Sequence, residues 1–161
     1  MKRVTDQLAV TGQITLEDID RAARDGFRSI INNRPDGEEG GQPTAAACAA
    51  HAHALGLTYY HVPTPSEHLD PGAVDATRRV LAEAPKPALA HCRSGKRSLA
   101  LWLVDQVRAG AVTEGEIDAF GQQFGYDTAA VHAWLAHSRA ATQPRPVVDG
   151  FYEPRTFSIQ Y

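Results

Sequence analysis

The chain has little cysteine and little methionine: two and one among 161 residues. Cys48 and Cys92 lie far apart and cannot make a disulfide framework, so a reducing cytoplasm is the simplest expected compartment. No apolar run approaches the ~20 residues of a membrane span. The opening Met1-Lys2-Arg3-Val4-Thr5-Asp6 has no apolar stretch behind its charges, so it does not read as a signal peptide. Charge of one sign is also lacking. The net charge is −3, and no basic stripe lies outside one short loop, which argues against nucleic acid or an anionic membrane as partner. There are no internal repeats and no metal-spaced cluster of histidines or cysteines, so no metal and no cofactor are expected.

What the sequence does have is concentrated in Ala88-Leu89-Ala90-His91-Cys92-Arg93-Ser94-Gly95-Lys96-Arg97-Ser98-Leu99. Ala88 to Ala90 reads as the end of a buried strand, and a helical pattern runs from near Arg97 through Leu99, Trp102, Leu103 and Val107. Between them is a tight loop whose backbone amides, backed by a helix N-terminus, form a nest for an anion. The same field, with Arg93, Lys96 and Arg97, favours an ionised sulfur. A free thiol titrates at about 8.5, and sites of this kind bring it to roughly 3.5–7.5. Gly95 lets the loop take a conformation that a side chain resists. Arg97 offers a planar fork for two oxygens of an oxyanion. Ser94 lies within the anion loop, His91 can orient it through its ring nitrogens, and the Ser98 hydroxyl can reach the sulfur. The bland alternative is a small core cysteine beside a solvated turn, but a cysteine, a glycine, a cationic fork and a helix in this order favour a nucleophile.

The rest of the chain alternates strand and helix. Leu8–Thr11 reads as a strand, and Thr15-Leu16-Glu17-Asp18 as the capping box of a helix that Gly26 stops. Phe27–Asn32 is a second strand opening into the polar loop 33–42. A helix starts at Pro43-Thr44 and closes at Gly56. It carries Cys48 as a packing residue, and its His51 and His53, two apart, do not share a face. Thr58–Val62 is a third strand, 63–70 a loop, and Asp70-Pro71 a helix start that runs to about Glu83. After the Cys92 loop come helices to about Arg108, from Thr113 to about Phe124, and from Asp127 to about Arg139. Trp102, Phe120, Trp134 and Leu135 are core candidates. The pattern predicts an α/β fold, a mostly parallel central sheet of four or five strands with helices on both faces. In such a sheet the site lies beyond the carboxyl ends of the strands. That brings in Arg34 as a second cation, with Asp36, Glu38, His61, Glu67, His68 and Asp70 as possible proton handlers. Thr142-Gln143-Pro144-Arg145-Pro146 reads as a linker, and 156–161 alternates as a strand does, so residues 141–161 are expected to lead into a following domain.

His91-Cys92-x-x-Gly-x-Arg97-Ser98 resembles the loop of the cysteine-dependent protein tyrosine phosphatases, but four residues separate Cys92 from Arg97 where those enzymes have five. Cys92-Arg93-Ser94-Gly95-Lys96-Arg97 is similar to the six-residue rhodanese loop. Together with Val10-Thr11-Gly12-Gln13-Ile14 and Ile31-Asn32-Asn33-Arg34-Pro35-Asp36-Gly37-Glu38, it resembles the phosphatase-like domain of the bacterial beta-lactamase hydrolase-like proteins over about residues 3–138. The stretch from Phe151-Tyr152-Glu153-Pro154-Arg155-Thr156 resembles the opening of the metallo-beta-lactamase-fold persulfide dioxygenases. The resemblance implies a dual-specificity-phosphatase-like fold with Cys92 as nucleophile and Arg97 as anion clamp.

Two reactions fit. A phosphatase of that family has an aspartate after the third strand to protonate the leaving oxygen. Val62-Pro63-Thr64-Pro65-Ser66 offers no carboxylate there. Losing such an acid costs about 10²–10⁴ in rate, whereas thiolate or sulfite leaves unprotonated. The sequence therefore favours sulfur transfer: Cys92 takes sulfane sulfur from thiosulfate or a persulfide and passes it to a thiol such as glutathione, in sulfide oxidation beside a fused or partner persulfide dioxygenase domain. Phosphate-ester hydrolysis through a Cys92 phosphoryl intermediate, with Asp36, Glu67 or Asp70 as acid, is the alternative. A silent binding module is a third reading. A Walker-type loop is discounted because Arg97 stands where Ser or Thr is needed and Ala90 where the first glycine is.

Overall fold

Successive strand residues point to opposite faces, so a strand whose central residues are both buried needs cover on both sides. In the computed structural model, which describes residues 1–65 and 68–142, three of the five strands are of this kind. The chain runs β1 (Lys2–Thr5), β2 (Leu8–Thr11), α1 (Leu16–Arg24), β3 (Ser29–Asn32), α2 (Ala45–Ala54), β4 (Thr58–His61), α3 (Pro71–Glu83), β5 (Ala88–His91), α4 (Lys96–Arg108), a 3₁₀ turn (Glu114–Glu116), α5 (Ile117–Phe124) and α6 (Ala129–Thr142). The sheet order is β1-β2-β5-β3-β4, with β1 antiparallel to β2 and the other neighbours parallel.

Alternation assigns the faces. Leu8, Val10, Ile31, Ala88 and Ala90 meet α3, α4, α5 and α6 in the larger core. Ile30 meets Ile19, Cys48, Ala52 and Leu57 from the α1–α2 side, and Ala9 and Leu89 pack with Ala22 and Phe27. Helix α4 is buried continuously from Arg97 to Val104, with Trp102 edge-on to Phe120 at 5.5 Å. Sheet and helix layers follow the sequence expectation.

The caps explain the boundaries. Thr15 and Asp18 form the reciprocal capping box of α1, Thr44 caps α2, and Asp70 caps α3 with Pro71 in its first turn. Three details differ from the sequence reading. Residues 2–5 form a strand although they lack an apolar alternation, because the β2 edge supplies the pairing. Phe27 and Arg28 precede β3 instead of belonging to it. Asp127 stands ahead of α6, where its carboxylate accepts from the Ala129 amide at 3.2 Å.

Register positions the site. Thr11 and Asn32 both pair with His91, and Asn32 also pairs with His61. The parallel strands therefore end on one row, and their loops leave from the same edge. Among the described residues no helix is long and apolar enough to cross a membrane. The expected linker and following strand lie outside the described residues.

Candidate active site

The loop between β5 and α4 is built as the sequence implies. Gly95 sits in the left-handed region at φ 97° and starts α4 with no side-chain cap. Its amide donates instead to Cys92 Sγ at 3.1 Å. The sulfur thus takes the place of a capping oxygen at the positive end of a 13-residue helix. Cys92 is buried, and its sulfur meets a backbone donor and not hydrocarbon alone.

Arg97 is buried and turned toward the β3–α2 and β4–α3 connections. Nη1 donates to the Thr64 carbonyl at 2.6 Å and Nη2 to Glu38 Oε2 at 2.8 Å. The fork expected to be open for an oxyanion is therefore already engaged, in part by a carboxylate. The same Glu38 oxygen accepts from Arg34 Nε at 2.7 Å, so one carboxylate joins two buried guanidiniums. These contacts, the one to Arg97 foremost, hold the Glu38 carboxyl below the usual carboxylate range.

Arg34 also donates to Gln13 Oε1 and Glu39 Oε2, each at 2.9 Å. It is not the free second cation that the sequence suggested: at 2% exposure it is structural as much as electrostatic. With Arg93, Gln13 and Glu39 it lines a cleft of about 370 Å³ beside the loop.

Other expectations need correction. Ser98 Oγ donates to Asn33 Oδ1 at 2.9 Å and so ties the loop to β3 instead of serving the sulfur. Lys96 reaches out to Asp127, and Arg93 is exposed with Glu39 at 3.7 Å, so neither ammonium nor guanidinium turns inward. The buried His91 ring lies against the Cys92 backbone at the start of the loop. Burial pushes its ionisation down to about 4, against a weak opposing contribution from the Cys92 backbone.

The candidate proton handlers are mostly committed elsewhere. Asp36 accepts from the Ala45 amide at 2.8 Å, at the start of α2. Asp70 accepts from the Ala73 amide at 2.9 Å. His61 Nε2 lies 2.9 Å from the Arg34 carbonyl oxygen. His68 is exposed and lines an apolar cavity with Trp134 and His137. Glu67 lies outside the described residues. Among the described residues no three His, Cys, Asp or Glu side chains stand together as metal ligands.

Two contacts went unnoticed in the sequence. Tyr126, between α5 and α6, donates its hydroxyl to the Ser94 carbonyl at 2.7 Å. The Gln13 amide, after β2, donates to the Arg93 carbonyl at 3.1 Å. Nothing in the spacing around Tyr126 marks it, and although Gln13 lies in the 10–14 stretch that carries the resemblance, its bond to Arg93 arises only through tertiary packing.

Comparison with known proteins agrees with this geometry. Over 159 residues, 99% of this chain, it is 35% identical to the beta-lactamase hydrolase-like protein of Agrobacterium fabrum and spans 36% of that relative's length. A candidate phosphatase from Neisseria meningitidis superposes with a TM-score of 0.72 at 28% identity, covering 86% of this chain and 97% of the other. At the level of fold alone, TpbA of P. aeruginosa, solved as a Cys-to-Ser variant with phosphotyrosine, superposes with a TM-score of 0.61 at 14% identity, covering 83% and 79%. Residues 1–111 match the phosphatase-like domain of the beta-lactamase hydrolase-like proteins, and the chain belongs to that family.

Proposed function

We propose that this domain is a cysteine-dependent enzyme acting at the centre of a small oxyanion, with phosphate-monoester hydrolysis as its reaction class. The observation that carries this reading is the Gly95 amide on Cys92 Sγ at the N-terminus of α4. The phosphatase-like family and the phosphatase-type fold of its neighbours support it. In the first step the Cys92 sulfur attacks phosphorus, an S–P bond forms, and the ester P–O bond breaks. In the second, water attacks phosphorus, the S–P bond breaks, and phosphate leaves with the thiolate restored. Loop amides and Arg97, once Glu38 yields to the anion, stabilise the equatorial oxygens.

A second reading has its own observation. Asp36 and Asp70 each accept from a backbone amide and Glu38 from two arginines, so all three carboxylates are engaged away from the sulfur. With no free acid at the sulfur among the described residues, a leaving group that departs unprotonated is preferred. This suits aryl esters, and it also suits sulfur transfer. There Cys92 thiolate attacks the outer sulfur of thiosulfate, releases sulfite and becomes a persulfide. A thiol such as glutathione then takes that sulfur and frees Cys92. The fused or partner persulfide dioxygenase domain belongs to this second reading.

Parallel assays with an aryl phosphate and with thiosulfate plus a thiol separate the two. The hydrolysis reading expects phosphate release that Cys92→Ser abolishes. Turnover of thiosulfate alone, with a sulfur adduct on Cys92 by mass spectrometry, transfers the assignment to the second reading. No turnover of either substrate, together with an ordinary alkylation profile, refutes both.

A further inference from the structure

We infer that Tyr126 is a positioning residue for the Cys92 sulfur, acting through the single peptide group that joins Ser94 to Gly95. This rests on the reading of Cys92 as nucleophile. In a trans peptide the carbonyl and the amide hydrogen point in opposite directions. The Tyr126 hydroxyl holds the Ser94 carbonyl on the outside at 2.7 Å, and the amide of the same peptide meets the sulfur on the inside at 3.1 Å. The preceding peptide is held in the same way, its Arg93 carbonyl fixed outward by the Gln13 amide at 3.1 Å. Two consecutive carbonyls pinned from outside keep the nest from turning over. A hydrogen bond to a carbonyl also polarises the amide at the other end of its peptide.

The site is fitted around this contact. A Cβ on Gly95 would lie 2.5 Å from the Tyr126 hydroxyl and 3.2 Å from the Thr11 carbonyl oxygen. The Lys2 ammonium stands 4.4 Å from the centre of the Tyr126 ring and donates to the Phe124 carbonyl, so β1 holds the connection in place. Burial and the neighbouring Cys92 push the ionisation of Tyr126 upward, so its hydroxyl stays a donor. Among the described residues the charged and titratable groups around the loop and Tyr126 include Lys2, Arg34, Glu38, Glu39, His91, Arg93, Lys96, Arg97 and Asp127. Tyr126→Phe changes none of them.

The test uses the full chain and measures iodoacetamide alkylation of Cys92 against pH in wild type, Tyr126→Phe and a Cys48→Ala background. Tyr126→Phe is expected to move the midpoint upward by about 0.5–1 pH unit, with rates converging at high pH and the denaturation midpoint little changed. In the unsubstituted protein the Gly95 amide and the Tyr126 ring signals are expected to titrate together at that midpoint. A superimposable alkylation profile for Tyr126→Phe, or a Tyr126 signal flat through the midpoint, overturns the inference while leaving Cys92 as nucleophile. A wild-type midpoint near the free-thiol value of about 8.5 overturns both.

Discussion

Single residues in this domain do chemistry that their positions in the sequence do not advertise. His91 is buried with a depressed ionisation, near 4, next to Cys92. Between that value and the ordinary 6.5 the unfolded chain binds a proton that the native ring refuses. Stability therefore rises with pH across this window and is lost as pH falls. The slope is at most about 1.4 kcal/mol per pH unit. Urea titrations from pH 4 to 7 are expected to show it, and His91→Leu to flatten it. An unchanged slope in the variant removes His91 from the account. Glu38 acts in a lower range. Its carboxyl is depressed below 4.5, so its contribution is full above that pH and is lost as pH falls through the native value. Glu38→Gln leaves Arg34 and Arg97 without their shared charge. Breaking a buried pair this way costs about 3–5 kcal/mol, and the 22% exposure of the Glu38 side chain points to the lower end. Glu39→Gln, at a half-exposed position, is expected to move the denaturation midpoint far less than Glu38→Gln.

At the scale of elements, the β5–α4 loop depends on two glycines for different reasons. Gly95 needs a positive φ, whereas Gly12 needs only room, since a Cβ there would lie 3.1 Å from the Arg93 carbonyl oxygen. Gly95→Ala is expected to cost about 1–3 kcal/mol and to slow Cys92 alkylation. Adding Tyr126→Phe removes the clash with the hydroxyl but not the backbone strain, so the double variant is expected to recover only part of the stability. Full recovery in the denaturation midpoint argues that sterics alone matter. Strands β2 to β5, the caps at Thr15, Thr44 and Asp70, and the Cys92 loop were legible because each is written in neighbouring residues. β1 was not, since its pairing partner and not its own pattern makes it a strand. Nor was the destination of Lys96 or Ser98, because the partners Asp127 and Asn33 come from elsewhere in the fold, nor that Glu38, four residues from Arg34, also takes Arg97. The sequence identified the cation cluster correctly as a group but assigned its charges to the sulfur when most of them face carboxylates.

The whole molecule is a sheet covered unequally. The larger core, on the α3–α6 side, contains Val10, Ala90, Leu99, Leu103 and Ile117, while the α1–α2 side holds a smaller cluster. Amides of β2, β3 and β5, paired on both edges, are expected to exchange slowest with deuterium, and those of the mostly exposed edge strand β1 much faster. Equal protection in β1 and β5 contradicts this layering. Because Lys2 on β1 supports the α5–α6 connection, faster exchange at β1 is expected to accompany local motion at Tyr126.

The match to the phosphatase-like domain ends at residue 111, before α5 begins, whereas the hydroxyl that braces the Ser94 carbonyl comes from position 126. Grafting the segment after α4 between homologues is a route to retuning the sulfur while every residue of its own loop stays untouched.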